Sequence, residues 1–287
     1  MNLVFCLEDN FGLEAIKTLL KKKIKLSLVI CLYKNPYTHI SIKKFCENKK
    51  IKFLLLRKKI LKSNFFFLYN ITKVQPDVLV TCHFNYIIPK QILDIPKLGS
   101  INLHPSLLPK YRGQSPQHWS ILNNDKYYGL SVHFMKSKVD TGNILFQKKI
   151  LLPKKIYISD LQLKLKEYYA LSIYKSIILL KNGFKGIKQN NKNKSYKGKI
   201  KINDFKIKNK DTINKAYRKI RAFSKPYMGA KYKNFIIWRA EKTNLKFKKN
   251  GIFKKKDKVY IALKNKSLIV KNYNETRVDK KRNFKYY

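Results

Sequence analysis

Across its first 82 residues the chain alternates short apolar runs with longer stretches of helical periodicity, and no other feature narrows the fold as much. Residues 2–6 form a run without charge, and the turn Glu8-Asp9-Asn10 follows. Residues 11–20 place Leu13, Ile16, Leu19 and Leu20 on one side of a helix. Residues 26–33, 52–56 and 77–81 are further strands, with a helix over 40–49 that turns Phe45 inward. The fourth strand is uncharged after its first residue and is expected near the sheet centre. This order predicts an α/β chain built on a doubly wound, mostly parallel sheet. Such sheets bind ligands beyond the carboxyl ends of strands, where the connections diverge. Apolar residues make up 44% of the 287, enough for a packed core.

The first strand-to-helix turn, Leu7 to Gly12, holds one glycine and two acids. It lacks the G-x-G-x-x-G fingerprint, and its carboxylates would repel a pyrophosphate, so a dinucleotide dehydrogenase is disfavoured. Beyond residue 100 the pattern changes. Strands are expected at 101–104, 130–135 and 144–152, then a helix over 161–181 with Leu161, Leu165, Tyr168, Leu171, Ile178 and Leu179 toward the core. Gly183 and Gly186 end it in the manner of C-cap glycines. Residues 187–203, rich in Lys and Asn, read as a solvated basic linker. Asp211 is the expected N-cap of a helix running to Phe223. Strands at 231–238, 245–248, 258–263 and 267–270 then suggest a small OB-like β-barrel. The resulting division is a catalytic domain at 1–186, a linker at 187–203 and a barrel domain at 204–287.

The formal net charge is +49, from 65 Lys and Arg against 16 Asp and Glu. A charge of that size attracts RNA without regard to sequence. The excess travels with abundant Asn, Ile, Phe and Tyr, residues that AT-rich codons favour, so it does not by itself choose a partner. The four cysteines, Cys6, Cys31, Cys46 and Cys82, form no C-x-x-C pair and sit among apolar neighbours. They are expected as reduced core thiols, with no metal site and a cytoplasmic location. No signal-peptide pattern and no apolar run of membrane-spanning length is evident, so no membrane partner is expected.

Chemistry concentrates in the stretch from Ser100 to Gly113. Asn102 and His104 lie two apart on a strand, so their side chains share a face at its carboxyl end. Val139-Asp140-Thr141-Gly142 is a turn that presents a carboxylate. An amide, an imidazole and a carboxylate are what transfer of a formyl group to an amine requires. Asn102 and a protonated His104 would stabilise the developing oxyanion. Asp140 would raise the pKa of His104 or accept the amine's proton. His39, His83, His118 and His133 read as satisfied structural histidines. Ser106 lacks a nucleophile elbow and reads as a loop-shaping residue. Arg112 with Gly113 reads equally as a contact to an acceptor's phosphate or as loop packing.

The run N-L-H-P-S-L-L-P-K-Y-R-G at 102–113 with D-T-G at 140–142 resembles the signature of the N10-formyltetrahydrofolate-dependent formyltransferases. The likeness is strong over about residues 75–150. It implies a Rossmann-like sheet, catalytic roles for Asn102, His104 and Asp140, and N10-formyltetrahydrofolate as formyl donor. The folate would sit against Tyr86, Ile87 and Ile88 and the turn at Val139 and Asp140, and the acceptor near Ser106, Arg112 and Gly113. The segment Ile220 to Ala230, with Trp238, is similar to the second domain of the methionyl-tRNA and amino-sugar branches. Residues 31–37 run almost directly into a helix, without the basic insertion of the tRNA branch. The resemblance therefore favours a nucleotide-linked amino sugar as acceptor, with Met-tRNA as the alternative. A non-catalytic RNA-binding protein on the same fold is the reading from another class.

Overall fold

A computed structural model describes residues 1–33, 36–57 and 65–275. In chain order the elements are β1 (Leu3–Leu7), α1 (Asn10–Lys21), β2 (Leu26–Leu32), α2 (Pro36–Asn48), β3 (Lys52–Leu56), α3 (Phe65–Val74), β4 (Val78–Cys82), α4 (Lys90–Leu93) and β5 (Ser100–His104). There follow β6 (Arg112–Gly113), α5 (Pro116–Leu122), β7 (Tyr127–Phe134), β8 (Ile144–Leu151), α6 (Ile158–Lys181), β9 (Tyr196–Lys197), α7 (Ile202–Phe205) and α8 (Ile213–Ala222). The last strands are β10 (Ala230–Tyr232), β11 (Phe235–Thr243), β12 (Gly251–Lys255), β13 (Lys258–Leu263) and β14 (Lys266–Glu275). Two compact units result. The first contains Met1–Gly113, Tyr127–Ile150 and Leu163–Lys197; the second contains Gln114–Lys126, Leu151–Gln162 and the chain from Gly198 onward.

The first unit is built on a seven-stranded sheet in the order β3-β2-β1-β4-β5-β7-β8. Strands β1 to β5 pair in parallel, and β7 runs antiparallel to β5. This is the α/β, doubly wound, mostly parallel arrangement that the alternation predicts. Strands β1 and β4 are buried at every position, as expected for strands covered on both faces. Asp9 N-caps α1, its side chain accepting from the amides of Phe11 and Gly12. All four cysteines are buried and unpaired, and burial pushes the thiols of Cys31 and Cys46 up to about 12 and 11.

Two readings change here. Helix α3 is absent from the sequence reading because its FFFLYNITKV run carries little polar contrast, yet Phe67 and Ile71, four apart, pack on Leu28, Ile30 and Leu79 of the sheet. Truncating Phe67 to Ala would cost about 3–5 kcal/mol. In α6 the buried stripe runs through Leu161, Leu165, Tyr169, Ile173, Ile177 and Leu180, while Leu171 and Ile178 are exposed. The expected stripe was displaced because the second half of the helix is apolar on most sides. Residues 34 and 35, part of the short connection after β2, lie outside the described residues.

The second unit carries a five-stranded antiparallel sheet in the order β10-β11-β14-β13-β12. Helix α8 packs Ala216, Tyr217 and Ile220 into its core with Ile237, Ile261 and Leu268. The N-cap of α8 is Thr212, which accepts from the amide of Lys215; Asp211, expected there, is instead buried and receives the ammonium of Lys219 at 2.8 Å. Residues 245–248 are not a strand, and the edge strand β12 lies just after them. No helix among the described residues is long and apolar enough to cross a membrane.

Candidate active site

The carboxyl end of β5 gathers the titratable groups. Asn102 pairs in register with Thr81 on β4 and with His133 on β7. Thr81 Oγ1 donates to Asn102 Oδ1 at 2.7 Å, which fixes the amide so that its Nδ2 faces His133 Nε2 at 3.3 Å. Asp140 stands between two imidazoles, with Oδ2 3.4 Å from His104 Nδ1 and Oδ1 3.3 Å from His133 Nε2. His104, His133 and Asp140 are all buried.

The other ring nitrogens settle the tautomers. His104 Nε2 lies 2.9 Å from the carbonyl oxygen of Tyr111, and His133 Nδ1 lies 2.7 Å from that of Phe134. A carbonyl oxygen only accepts, so each of these nitrogens carries a hydrogen. The remaining nitrogens, His104 Nδ1 and His133 Nε2, both face the Asp140 carboxylate. One carboxylate thus lies within reach of two ring nitrogens, and a proton there is shared among three basic atoms.

Burial lowers the pKa of His104 and outweighs the opposing pull of Asp140, so this imidazole is neutral near pH 7. That corrects the expectation of a protonated His104. Burial acts on Asp140 in the opposite direction, raising its pKa. His104 and His133, together with the amide of Gly113, outweigh that burial and hold the carboxyl well below its usual range.

Asp140 sits in the left-handed region at φ 54°, and its loop is held from several sides. The amide of Gly113 donates to Asp140 Oδ2 at 2.8 Å. Gln189 Nε2 donates to the carbonyls of Asp140 (2.9 Å) and Gly142 (2.8 Å). Gly142 permits this approach, since a Cβ there would fall 1.8 Å from the carbonyl oxygen of Phe134. Arg112 is buried and spends its guanidinium on Gln189 (2.6 and 3.1 Å) and Asn191 (3.0 Å), so it packs the loop and offers no free face here. Residues within the stretch read as a solvated linker therefore fasten the site: Ser195 accepts from the amide of Tyr111, and β9 pairs with β6.

The other expected residues disperse. Ser106 is buried, its hydroxyl donating to the carbonyl of Lys110. Ile88 packs into the sheet core, Tyr86 stacks edge-on with Phe84, and Ile87 and Val139 are exposed. His133 and Gln189 are the site residues missed from sequence. Antiparallel pairing of two histidine-bearing strands was the available cue for His133.

A second cluster occupies the carboxyl ends of β1 and β4, the point where the chain reverses its winding. His83, at φ 50°, contacts Asp9 Oδ2 through Nδ1 at 2.6 Å and the Tyr169 hydroxyl through Nε2 at 3.0 Å. Glu8 accepts from the amide of Asn85 at 3.1 Å.

Residues 2–173 match the profile of the family described as Formyl transferase. The chain belongs to the formyl transferase family. ArnA, a bifunctional polymyxin resistance protein of Wigglesworthia glossinidia brevipalpis, is 33% identical over 274 residues, 88% of this chain and 42% of that protein. The methionyl-tRNA formyltransferase of Ehrlichia ruminantium (strain Welgevonden) is 38% identical over 152 residues, 53% of this chain and 49% of that enzyme. The chain thus aligns with about half the length of these curated relatives. Among solved structures, the sugar 3N-formyl transferase WlaRD, crystallised in the presence of dTDP and 5-N-formyl-THF, superposes with a TM-score of 0.74 at 22% identity, covering 94% of this chain and 97% of that one. Identity at that level supports the shared formyltransferase fold.

Proposed function

We propose that the chain transfers a formyl group from N10-formyltetrahydrofolate to a primary amine, with Asn102, His104 and Asp140 as its catalytic residues. The observation that carries this reading is the convergence of two imidazole nitrogens on the Asp140 carboxylate, beside an amide that Thr81 orients with its N–H side toward His133. As the amine nitrogen bonds to the formyl carbon, Asn102 Nδ2 donates to the developing oxyanion. A donor of this kind contributes about 3–4 kcal/mol. The amine must also lose a proton. His104 accepts it at Nδ1, and Asp140 stabilises the imidazolium. The proton passes to N10 of the folate as the carbon–N10 bond breaks, which regenerates the neutral ring. The exposed Ile87 and Val139 supply apolar surface for the folate.

We favour a nucleotide-linked amino sugar as acceptor. The short connection after β2 supports it, as do the acids at Glu8 and Asp9. The likenesses that run through the second unit, to ArnA and to WlaRD, add to this. Met-tRNA is the second reading, favoured by the 38% identity to a methionyl-tRNA formyltransferase and by the +49 charge. A mass-spectrometric assay offering N10-formyltetrahydrofolate with a panel of nucleotide amino sugars and with Met-tRNA separates the two. Formylation of a sugar amine alone supports the first reading, and formylation of Met-tRNA alone supports the second. Formylation of none overturns the enzymatic proposal.

A further inference from the structure

Buried cations among the described residues differ in their partners. Lys219 on α8 meets the Asp211 carboxylate at 2.8 Å, whereas Arg112 is held by the neutral amides of Gln189 and Asn191. Arg221, two residues beyond Lys219, is 3% exposed and forms no salt bridge with a described carboxylate. Its Nη1 donates to the carbonyl of Ile156 at 3.0 Å, and its guanidinium lies 5.0 Å from the ring centre of Tyr217. Its Nε is buried without a hydrogen-bond partner. Burial lowers the pKa of this guanidinium, Tyr217 and Tyr157 oppose that effect, and the like charge of Arg218 adds to it. A buried cation left without a counter-charge is costly, and a bound anion removes the cost.

Arg221 forms part of the wall of a cavity of about 430 Å³, wholly within the second unit. Lys126 and Lys154 stand on the same wall, against one acid, Asp125. Ile121, Leu152 and Pro153 give it an apolar side. The volume falls within the range of small-molecule sites. With Nη1 on the Ile156 carbonyl and Nε buried, the N–H groups of Arg221 Nη2 remain for a phosphate oxygen, and two ammonium groups favour a ligand with more than one negative charge.

We propose that this cavity binds a phosphate or diphosphate group, held by Arg221 with Lys126 and Lys154. The ligand class is a phosphorylated small molecule or a free polyphosphate, both of which present the same oxygens. None of its lining residues belongs to the Asn102–His104–Asp140 cluster.

The test is calorimetric titration of the full chain with inorganic pyrophosphate, and in parallel with a nucleoside diphosphate, at 0.15 M salt. Saturable binding of one equivalent of pyrophosphate is expected. The proposed acceptor site would take up nucleoside diphosphate as well, so only the component removed by Arg221→Gln is compared: tighter binding of the nucleotide there identifies a nucleotide ligand, and equal binding identifies the free polyphosphate. Arg221→Gln should weaken binding at least about tenfold. Because Arg221 also holds the Ile156 carbonyl, the double variant Lys126→Gln/Lys154→Gln serves as a second probe, with a loss of about three- to tenfold. Lys255→Gln/Lys258→Gln on the β12–β13 hairpin removes the same charge elsewhere and should leave affinity unchanged. Unsaturable binding, or equal losses in the two double variants, would show only the general attraction of a +49 chain and overturn the site. The readout is binding without formyl transfer, so its failure is distinct from failure of the proposed reaction.

Discussion

Two histidine–aspartate pairs stand at the carboxyl ends of neighbouring strands of one sheet, and they are built to opposite ends. In the crevice between β1 and β4, His83 spends both ring nitrogens on side chains, at 2.6 Å to Asp9 and 3.0 Å to Tyr169. Asp9 also caps α1, so the amides that would greet an anion there are already satisfied. At β5 and β7 the imidazole contacts to Asp140 are longer, at 3.4 and 3.3 Å. Short, closed hydrogen bonding makes a brace, whereas looser contacts among basic atoms leave capacity for proton transfer. The switch point of the sheet, where ligands are expected on topological grounds, is thus the braced region here, and the proposed chemistry sits one strand farther along.

The comparison breaks most sharply under His104→Ala. This variant should lower kcat by about 10²- to 10⁴-fold in a formyl-transfer assay while the thermal transition shifts little. A collapse of folding with it would make His104 a second brace. Gln189→Ala loosens the Asp140 loop without touching a reacting group. It should reduce kcat by about 10- to 100-fold with KM largely kept. Asp9→Ala should do the reverse: about 1–2 kcal/mol of stability is lost with the α1 cap, seen as a lower thermal midpoint, and kcat changes only a few-fold.

The smallest effect is on the pH profile. Because burial lowers the pKa of His104, the neutral base persists as pH falls, and the acid limb of kcat/KM should lie below 6.5. Asp140 opposes that lowering, so in Asp140→Asn the limb of the residual activity should move further toward acid. In stability the sign is the same for both groups. With folded pKa values below the unfolded ones, each contribution is complete above the unfolded pKa and is lost as pH falls through the folded one.

The difference between the regions also marks what sequence could reveal. Asn102, His104 and Asp140 were legible because two of them share a strand face and the third sits in a turn with its own signature. The parallel sheet was legible because fully buried strands read as continuous apolar runs. His133 was hidden because its partner, Asn102, is 31 residues away and is reached only through the antiparallel β5–β7 register. Gln189 was hidden more deeply: it lies 49 residues from Asp140, in a stretch whose Lys and Asn content resembles a linker. Composition reports average solvation, and one buried glutamine does not alter it. Asp9 and His83 were visible as residues, but their mutual closure depends on strands brought together across 74 positions.

In the proposed reaction the Asp140 carboxylate stabilises the proton taken from an attacking amine. Single-turnover transfer from N10-formyltetrahydrofolate to a nucleotide-linked amino sugar, compared between the native chain and Asp140→Asn, tests it most directly. Transfer by the native chain and a loss of at least about 10²-fold in the variant are expected, with folding preserved. Equal rates in the two proteins would contradict it.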